Sequence, residues 1–317
     1  MVPARFSSGD AVADRRAEFA ETFAGLCDFP AAAQALAAAL ERAPGWAAGW
    51  YRLGELYEAA GAPQDAAAAW RRALALEPDD AFGARAKLEL VTGERIAETL
   101  PPKFVETLFD QYAPRFDGAL TDKLGYCGPQ ILMEALSQDG FAYAARALDL
   151  GCGTGLMGER LRPMCARLEG VDLSAGMLEV AARRGLYDRL EKADIARRPL
   201  DEAGFDLIIA ADVFAYLGAL DGVVAWCAGS LTPGGRLAFT VEAGEGAGYA
   251  LQDSRRYAHG RAYLETLLAQ AGFEAVRIEP CVVRQDRGAD IASFVATAAR
   301  AAQRRLPEGD GEAEALA

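Results

Sequence analysis

After Gly140, short apolar runs alternate with amphipathic helical stretches, and this alternation constrains the fold more than any other feature of the chain. The runs are Ala147–Leu150, Leu168–Leu173, Leu190–Ile195, Phe205–Ala211, Arg236–Val241, Glu274–Ile278 and Ser293–Ala298. A helical stretch separates each of the first five from the next. Such connections require right-handed crossovers and place these strands parallel in one sheet. No helix fits between the last two, which are expected to pair antiparallel at one edge. The expected class is α/β, a doubly wound and mostly parallel sheet.

In an open parallel sheet, ligands bind beyond the carboxyl ends of the strands. The residues at those ends are Asp149, Asp172, Asp194, Asp212 and Glu242. A carboxylate at every end points to a ligand that is cationic or rich in hydroxyl and amine donors. The first strand runs into Asp149-Leu150-Gly151-Cys152-Gly153-Thr154-Gly155. Glycines at alternate positions let the backbone turn sharply and approach a ligand without a Cβ in the way. Gly153, Gly155 and Gly158 also satisfy G-x-G-x-x-G, the dinucleotide fingerprint, and Asp172, roughly twenty residues on, suits a ribose diol in either case. Charge separates the two readings. A dinucleotide's pyrophosphate is repelled by an acidic residue just before the glycines. S-adenosylmethionine carries a sulfonium, an ammonium and one carboxylate, and suits Asp149 and the acidic rim. The plain alternative makes Asp149 a hydrogen-bonding residue of the loop with no ligand.

The first hundred residues are Ala-rich and helical in pattern. From Ala47 to Asp80, Trp50, Leu53, Gly54 and Tyr57 share one helix, and Gly61 ends it in a left-handed turn. Pro63 opens the next helix, where a missing N–H does no harm. Ala66, Trp70 and Ala73 lie on its inner face, and Pro78 stops it. These residues resemble a tetratricopeptide repeat, whose period is roughly 34 residues. Ala32, Leu36, Ala39 and Pro44 form a degenerate earlier copy, with Asp14 to Leu26 as its first helix. A single helix, Ala81 to Thr92, capped by Asp80 and ended by Gly93, follows. An array of about two and a half repeats is expected to lean on another part of the chain. The repeats offer a docking face for a protein partner or a second copy of the chain.

Net charge is −13, which opposes general affinity for nucleic acid, and no nucleic-acid partner is expected. No apolar run of about 18 residues indicates a membrane span, and Met1 to Asp10 does not read as a signal peptide. The six cysteines make no CxxC pair, so neither structural zinc nor a disulfide framework is expected, and a reduced cytoplasmic setting fits. One histidine, His259, excludes a His-rich metal site, and no metal is expected.

Asp149–Gly155, Val171-Asp172-Leu173-Ser174 with Met177, Ala193-Asp194-Ile195, and Phe205 through Asp212 follow in order. They resemble the ordered motifs of class I S-adenosylmethionine-dependent methyltransferases. Leu231-Thr232-Pro233-Gly234-Gly235-Arg236-Leu237 resembles that family's turn before the fifth strand. The resemblance spans residues 104–300 and implies a Rossmann-like sheet with S-adenosylmethionine as cofactor. With the N-terminal repeats, the whole chain is similar to a bacterial group of methyltransferases carrying tetratricopeptide repeats. The division expected is a repeat domain over 1–98, linker and lid helices over 99–140, a cofactor-binding domain over 141–302, and a disordered acidic tail over 303–317.

The resemblance further implies residue roles. The backbone of Gly151, Cys152, Gly153 and Gly155 packs against methionine and ribose, with Asp149 favouring the ammonium. Asp172 accepts from the ribose hydroxyls, and Leu173 and Met177 flank the adenine. Asp194 takes the adenine amino group, the Ile195 N–H reaches a ring nitrogen, and the Ala211 carbonyl helps hold the ammonium. Phe109 to Asp117 resembles the family's lid, in which Tyr112 covers the sulfonium and Arg115 pairs with the methionine carboxylate.

Methyl transfer mainly needs nucleophile and methyl aligned within about 3–3.5 Å. A base is needed only when the acceptor is protonated. Tyr249 to Tyr263 packs the only histidine among tyrosines and arginines. It reads as a substrate-capturing loop: Arg255 or Arg256 for an anionic group, Tyr257 for orientation, His259 as base, with Tyr263 also binding substrate. A solvated loop leading into a helix is the plainer alternative. Asp212 and Glu242 are reserve bases. Cys152, near a helix N-terminus, either has a lowered thiol pKa or fills space under the loop. The acceptor is unidentified. The alternatives to a methyltransferase are an NAD(P)-dependent oxidoreductase and a non-catalytic adaptor.

Overall fold

The computed structural model describes residues 7–96, 98–118, 120, 124–197, 204–286 and 288–302; the tail over 303–317 lies outside the described residues. Five helices come first: α1 (Ala11–Gly25), α2 (Phe29–Leu40), α3 (Ala47–Ala59), α4 (Pro63–Leu76) and α5 (Ala84–Thr92). Asp10 starts α1 by accepting from the Val12 and Ala13 N–H groups, and Asp28 starts α2 by accepting from Ala31. Between α3 and α4 the chain turns at Gly61 with φ 74°. Ala66, Trp70 and Ala73 are buried, and so are Ala32, Leu36 and Ala39. The fixed offset between copies is therefore an inward face. Gly54 has no side chain because Trp70 occupies its space: a Cβ there would lie 2.3 Å from the indole nitrogen.

Helix α5 begins later than Ala81. Asp80 (φ 53°) and Gly83 (φ 79°) turn the chain first. The Asp80 carboxylate then accepts from the Ala84 and Arg85 N–H groups at 2.6 and 3.0 Å. The short array does lean on the rest of the chain: Ala86 of α5 shares a core with Leu100, Phe104 and Tyr257.

The segment expected as a linker is stitched down. Leu100 N donates to Tyr216 O at 3.1 Å, and Gly218 N donates to Glu98 O at 2.8 Å. Helices α6 (Pro102–Tyr112), the one-turn α7 (Phe116–Gly118) and α8 (Gly128–Gln138) follow. The second half then runs β1 (Ala144–Leu150), α9 (Leu156–Leu161), β2 (Cys165–Asp172), α10 (Ala175–Arg184), β3 (Arg189–Lys192), β4 (Phe205–Ala210), α11 (Asp221–Ser230) and β5 (Leu231–Gly244). It closes with β6 (Tyr249–Leu251), β7 (Tyr257–Gly260), α12 (Arg261–Gln270), β8 (Phe273–Asp286) and β9 (Ala289–Arg300).

Among the described residues nine strands form one sheet, with parallel order β3-β2-β1-β4-β5. Side-chain alternation in the central strands splits the core into two layers. Ile208 and Ala210 face Val224 and Leu264 of α11 and α12. Leu207 and Ile209 face Leu132 and Leu161 of α8 and α9. The architecture is the expected doubly wound, mostly parallel sheet behind an all-α repeat region.

The far side of β5 departs from expectation in two ways. The β8–β9 pair is antiparallel as expected, but β9 itself pairs antiparallel with β5 from Arg236 to Glu242. Above that, Glu242 to Gly244 pair in parallel with Ala258 to Gly260 of β7, and β6 pairs antiparallel with β7. The stretch read as a loop is thus a hairpin added to the sheet.

Candidate active site

A crevice of about 1140 Å³, partly open to solvent, lies over the carboxyl ends of β1, β2 and β4. The glycine loop forms its base. Gly151 has φ 66°, and a Cβ on it would lie 2.3 Å from Val213. Asp172 clamps the loop, accepting from Gly153 N and Ser174 N at 2.8 Å each. Burial raises the Asp172 carboxyl, and the N–H groups of Ser174, Gly153 and Leu173 oppose that rise. Leu173, Met177, Asp194, Ile195 and Ala211 line the same side, as do Gly151, Cys152 and Gly153. Asp194 Oδ1 accepts from Ala196 N at 3.0 Å. These expected cofactor residues are brought together. Burial pushes the Cys152 thiol well up, so it fills space and is no thiolate.

Asp149 lies beneath the loop and is fully buried. Its Oδ2 accepts from the Tyr187 hydroxyl at 2.7 Å, and its Oδ1 has no hydrogen-bond partner among the described residues. Burial, aided by the nearby Asp172 charge, raises this carboxyl to about 7 against the Tyr187 bond. Sequence reasoning missed Tyr187. Its ring fills the space over Gly158 and Gly170, where a Cβ would lie 2.4 and 2.9 Å from it. Gly158 therefore serves packing, as the third glycine of the motif. Gly155 (φ 99°) precedes α9 and does not line the crevice.

The segment expected as a lid reaches the crevice with residues other than Tyr112 and Arg115. Phe109 and Phe116 line the crevice; Tyr112 and Arg115 do not. Helix α6 ends at Tyr112, and a tight turn over Ala113–Arg115 buries Ala113 instead. Tyr112 is left 49% exposed, and Arg115 is exposed as well. Asp110 fixes the segment, accepting from the Ser174 hydroxyl at 2.6 Å and from Gly176 N at 3.1 Å.

The other end of the crevice is apolar except at its floor. Leu100, Pro102, Val105, Phe109 and Leu217 form the walls. Asp212, Arg256, Tyr126 and Tyr216 supply the polar groups. Arg256 Nη2 lies 2.9 Å from Asp212 Oδ2, and its Nε lies 3.1 Å from Glu242 Oε1. Arg284 Nη2 reaches Glu242 Oε1 at 2.6 Å, completing a buried group of two cations and two anions. Burial raises the Glu242 carboxyl while both arginines oppose that. The acidic rim is thus neutral on this side. Arg284 was missed because the sequence pattern ends its strand at Ile278, whereas β8 continues to Asp286.

Of the expected substrate loop, only Arg256 reaches the crevice. Arg255 Nη1 turns away to the Tyr51 hydroxyl at 3.1 Å. Tyr257 is 1% exposed in the core shared with Phe104. The Tyr263 hydroxyl accepts from Leu220 N at 2.8 Å and donates to Asp221 at 3.0 Å. His259 is fully buried and stacks on Tyr263 at 6.0 Å between ring centres. Its Nε2 lies 3.0 Å from Gly218 O, so Nε2 carries the proton. Its placement does not give a base that faces a substrate; it ties the hairpin to the Gly218 turn.

Burial lowers the His259 imidazole to about 4, with the Gly218 and Leu217 carbonyls opposing. The unfolded chain takes this proton first, so the burial costs stability as pH falls from 6.5 towards 4. As the chain has one histidine, a proton NMR titration reports it alone. The expected midpoint is about 4; a midpoint near 6.5 would show an exposed ring.

Among the described residues, no helix is long and apolar enough to cross a membrane. None of their His, Cys, Asp and Glu side chains form a group of three or more suited to a metal ion.

Residues 148–239 match the methyltransferase domain family, and residues 47–80 match the tetratricopeptide repeat family. Methyltransferase-like protein 27 of Homo sapiens is 39% identical over 106 residues, covering 32% of this chain and 43% of that protein. Malonyl-[acyl-carrier protein] O-methyltransferase of Enterobacter lignolyticus is 38% identical over 101 residues, covering 32% of this chain and 40% of that protein. The chain thus spans less than half the length of these relatives. Among solved structures, the [4+2]-cyclase SpnF superposes with a TM-score of 0.51 at 20% identity, over 62% of this chain and 95% of that one. That likeness concerns the fold alone. Residues 148–239 are thus similar to a methyltransferase domain. In front of it stands a tetratricopeptide repeat.

Proposed function

We propose that the chain binds S-adenosylmethionine and transfers its methyl group to a hydroxyl oxygen of a small, largely apolar acceptor. The observation that carries this reading is the division of one crevice into a carboxylate-lined half and an apolar half with a charged floor. The residues fit the donor. Asp149 Oδ1 is a buried carboxylate oxygen without a partner, which suits an ammonium, directly or through water. Asp172, Leu173, Met177, Asp194 and Ile195 suit an adenosine. A dinucleotide fits less well, because the Gly153 N–H that a pyrophosphate would use is taken by Asp172. Bound there, S-adenosylmethionine supplies a methyl group on a good leaving group for in-line displacement.

The chain's own residues would orient the acceptor and exclude water. Phe109 and Phe116 cover the crevice. Asp212, paired with Arg256, would take the acceptor's hydroxyl proton. Support for an oxygen acceptor comes from relatives named O-methyltransferases. One acts on malonyl-[acyl-carrier protein]; another, of Burkholderia vietnamiensis, in ubiquinone biosynthesis, is 32% identical over 103 residues. The test is incubation with methyl-labelled S-adenosylmethionine and a panel of phenols, carboxylic acids, amines and peptides. Label is expected on a hydroxyl compound in the wild type and absent with Asp212→Asn. Label appearing on amines or peptides alone would overturn the oxygen assignment.

Donor binding is expected to depend on pH through Asp149. An ammonium favours the ionised carboxyl, so affinity rises with pH up to about 7 and then levels. Asp149→Asn flattens that profile. The same substitution has an opposite effect on the free protein. A carboxyl raised from 3.8 to about 7 by folding stabilises the native state at low pH, and that contribution is lost as pH rises through 7. Asp149→Asn is therefore expected to bind S-adenosylhomocysteine more weakly at pH 8 while melting no lower than the wild type. Calorimetry and thermal denaturation check both halves.

A further inference from the structure

Arg255 and Arg256 are adjacent in the chain and serve opposite sides of the molecule. Arg256 lines the crevice and pairs with Asp212 and Glu242. Its guanidinium lies 4.9 Å from the centre of the Tyr216 ring. Arg255 points the other way, towards α3 of the repeat region and α6. Its Nη1 donates to the Tyr51 hydroxyl at 3.1 Å, and its guanidinium lies 5.1 Å from the centre of the Phe104 ring.

The backbone between them is held in an unusual shape. Arg255 has φ 58°, a left-handed conformation that a residue with a Cβ rarely adopts. Its N–H closes a tight turn on Gln252 O at 2.8 Å. A conformation of this kind persists only where the surroundings determine it. The hairpin loop, closed by Gln252 N on Arg256 O at 2.9 Å, sets part of it, and Tyr51 and Phe104, both themselves fixed, hold the side chain. Tyr51 stacks on Phe82 at 5.7 Å, and its carbonyl accepts from the buried Trp70 indole at 3.1 Å. Phe104 is 7% exposed against Gly83, where a Cβ would lie 3.0 Å from it. The rest of the hairpin is bound to the same region. Tyr257 packs with Ala86 of α5, and Arg95 lies 4.6 Å from the centre of the Tyr249 ring.

We propose that the repeat region is a working part of the acceptor site: Tyr51 of α3, together with Phe104 of α6, holds Arg255 so that the next residue, Arg256, is aimed at Asp212. Arg255 and Tyr51 are then positioning residues for the methyl transfer proposed above, and the inference rests on that reading for its kinetic consequence. Its structural consequence stands apart from that reading. Among the described residues Arg256 lines the crevice and Arg255 does not, so the effect is expected on the acceptor half, where Arg256 lies.

The experiment uses the full chain with Arg255→Ala, Arg255→Lys and Tyr51→Phe. S-adenosylhomocysteine is the donor-site probe, and catechol, with any other hydroxyl compound that the wild type methylates, is the acceptor probe. Arg255→Ala is expected to lower kcat about tenfold while the S-adenosylhomocysteine Kd stays within about twofold. Arg255→Lys recovers part of the loss, and Tyr51→Phe, which keeps the ring and removes the hydroxyl, lowers kcat about threefold. Hydrogen exchange needs no acceptor. The Asp212 amide, bonded to the Thr240 hydroxyl at 2.9 Å, is expected to exchange about tenfold faster in Arg255→Ala, with α10 unchanged. Wild-type exchange at Asp212 in Arg255→Ala overturns the proposal. So does an S-adenosylhomocysteine affinity that falls in step with kcat, since that marks general loosening. If the wild type methylates no probe, the proposed activity has failed, and exchange at Asp212 alone decides the positioning.

Discussion

Asp172→Ala is expected to weaken S-adenosylhomocysteine binding by at least about a hundredfold. Asp172 accepts two backbone hydrogen bonds at 2.8 Å, from Gly153 and Ser174. A hydrogen bond to a charged group contributes about 1.5–3 kcal/mol, and each 1.4 kcal/mol is roughly tenfold in affinity. Alanine removes the clamp that shapes the glycine loop, and it also removes the carboxylate that would receive the ribose hydroxyls. Asp172→Asn keeps an acceptor for one of the two N–H groups and is expected to lose less, about tenfold. Calorimetric titration of both variants gives the order. Wild-type affinity in Asp172→Ala would place the nucleoside elsewhere.

Arg256→Met is expected to have the second largest effect, on stability and turnover together. The substitution leaves Asp212 and Glu242 with Arg284 as the remaining partner within this group. Their side chains are only 12% and 9% exposed, so water does little to compensate. Breaking a buried charge group from one side costs about 3–5 kcal/mol. At roughly 2–4 °C per kcal/mol for a chain above 150 residues, the melting temperature falls by about 6–20 °C. Adding Glu242→Gln removes one of the stranded charges and is expected to restore part of that loss. A single variant that melts with the wild type would mean the four charges are not coupled as the distances imply.

The sheet and the donor half of the crevice were legible because both are written in local pattern. Strands β1, β2 and β4 are apolar runs with a carboxylate at or beside their ends, and the glycine loop follows the first of them directly; β3, Arg189–Lys192, is shorter and more polar than the run expected over Leu190–Ile195. The repeat was legible because Ala66, Trp70 and Ala73 recur as Ala32, Leu36 and Ala39 at a fixed offset. What escaped depends on distant contacts. Strands β6 and β7 are three and four residues long, and Tyr257 to Gly260 shows no alternation, since all four are buried. The crowd of rings around His259 suggested a substrate loop. Its meaning is packing, of Tyr249, Tyr263 and the imidazole on one another. Arg284 was hidden because β8 shifts register between Glu274 and Arg277 and again between Val282 and Gln285, which breaks its pattern. Tyr187 sits in an ordinary-looking turn, and only the folded chain brings it over Gly158 and Gly170 to Asp149.

Five strand-end carboxylates suggested an acidic rim throughout. Arg256 and Arg284 neutralise Asp212 and Glu242, so the uncompensated charge lies at Asp149 and Asp172, on the donor side. That narrows the account to one comparison: isothermal titration of the full chain with S-adenosylhomocysteine and, separately, with NADH. Saturable heat with the thioether nucleoside and none with the dinucleotide is the result the account predicts. Saturable heat with NADH and none with S-adenosylhomocysteine would contradict it.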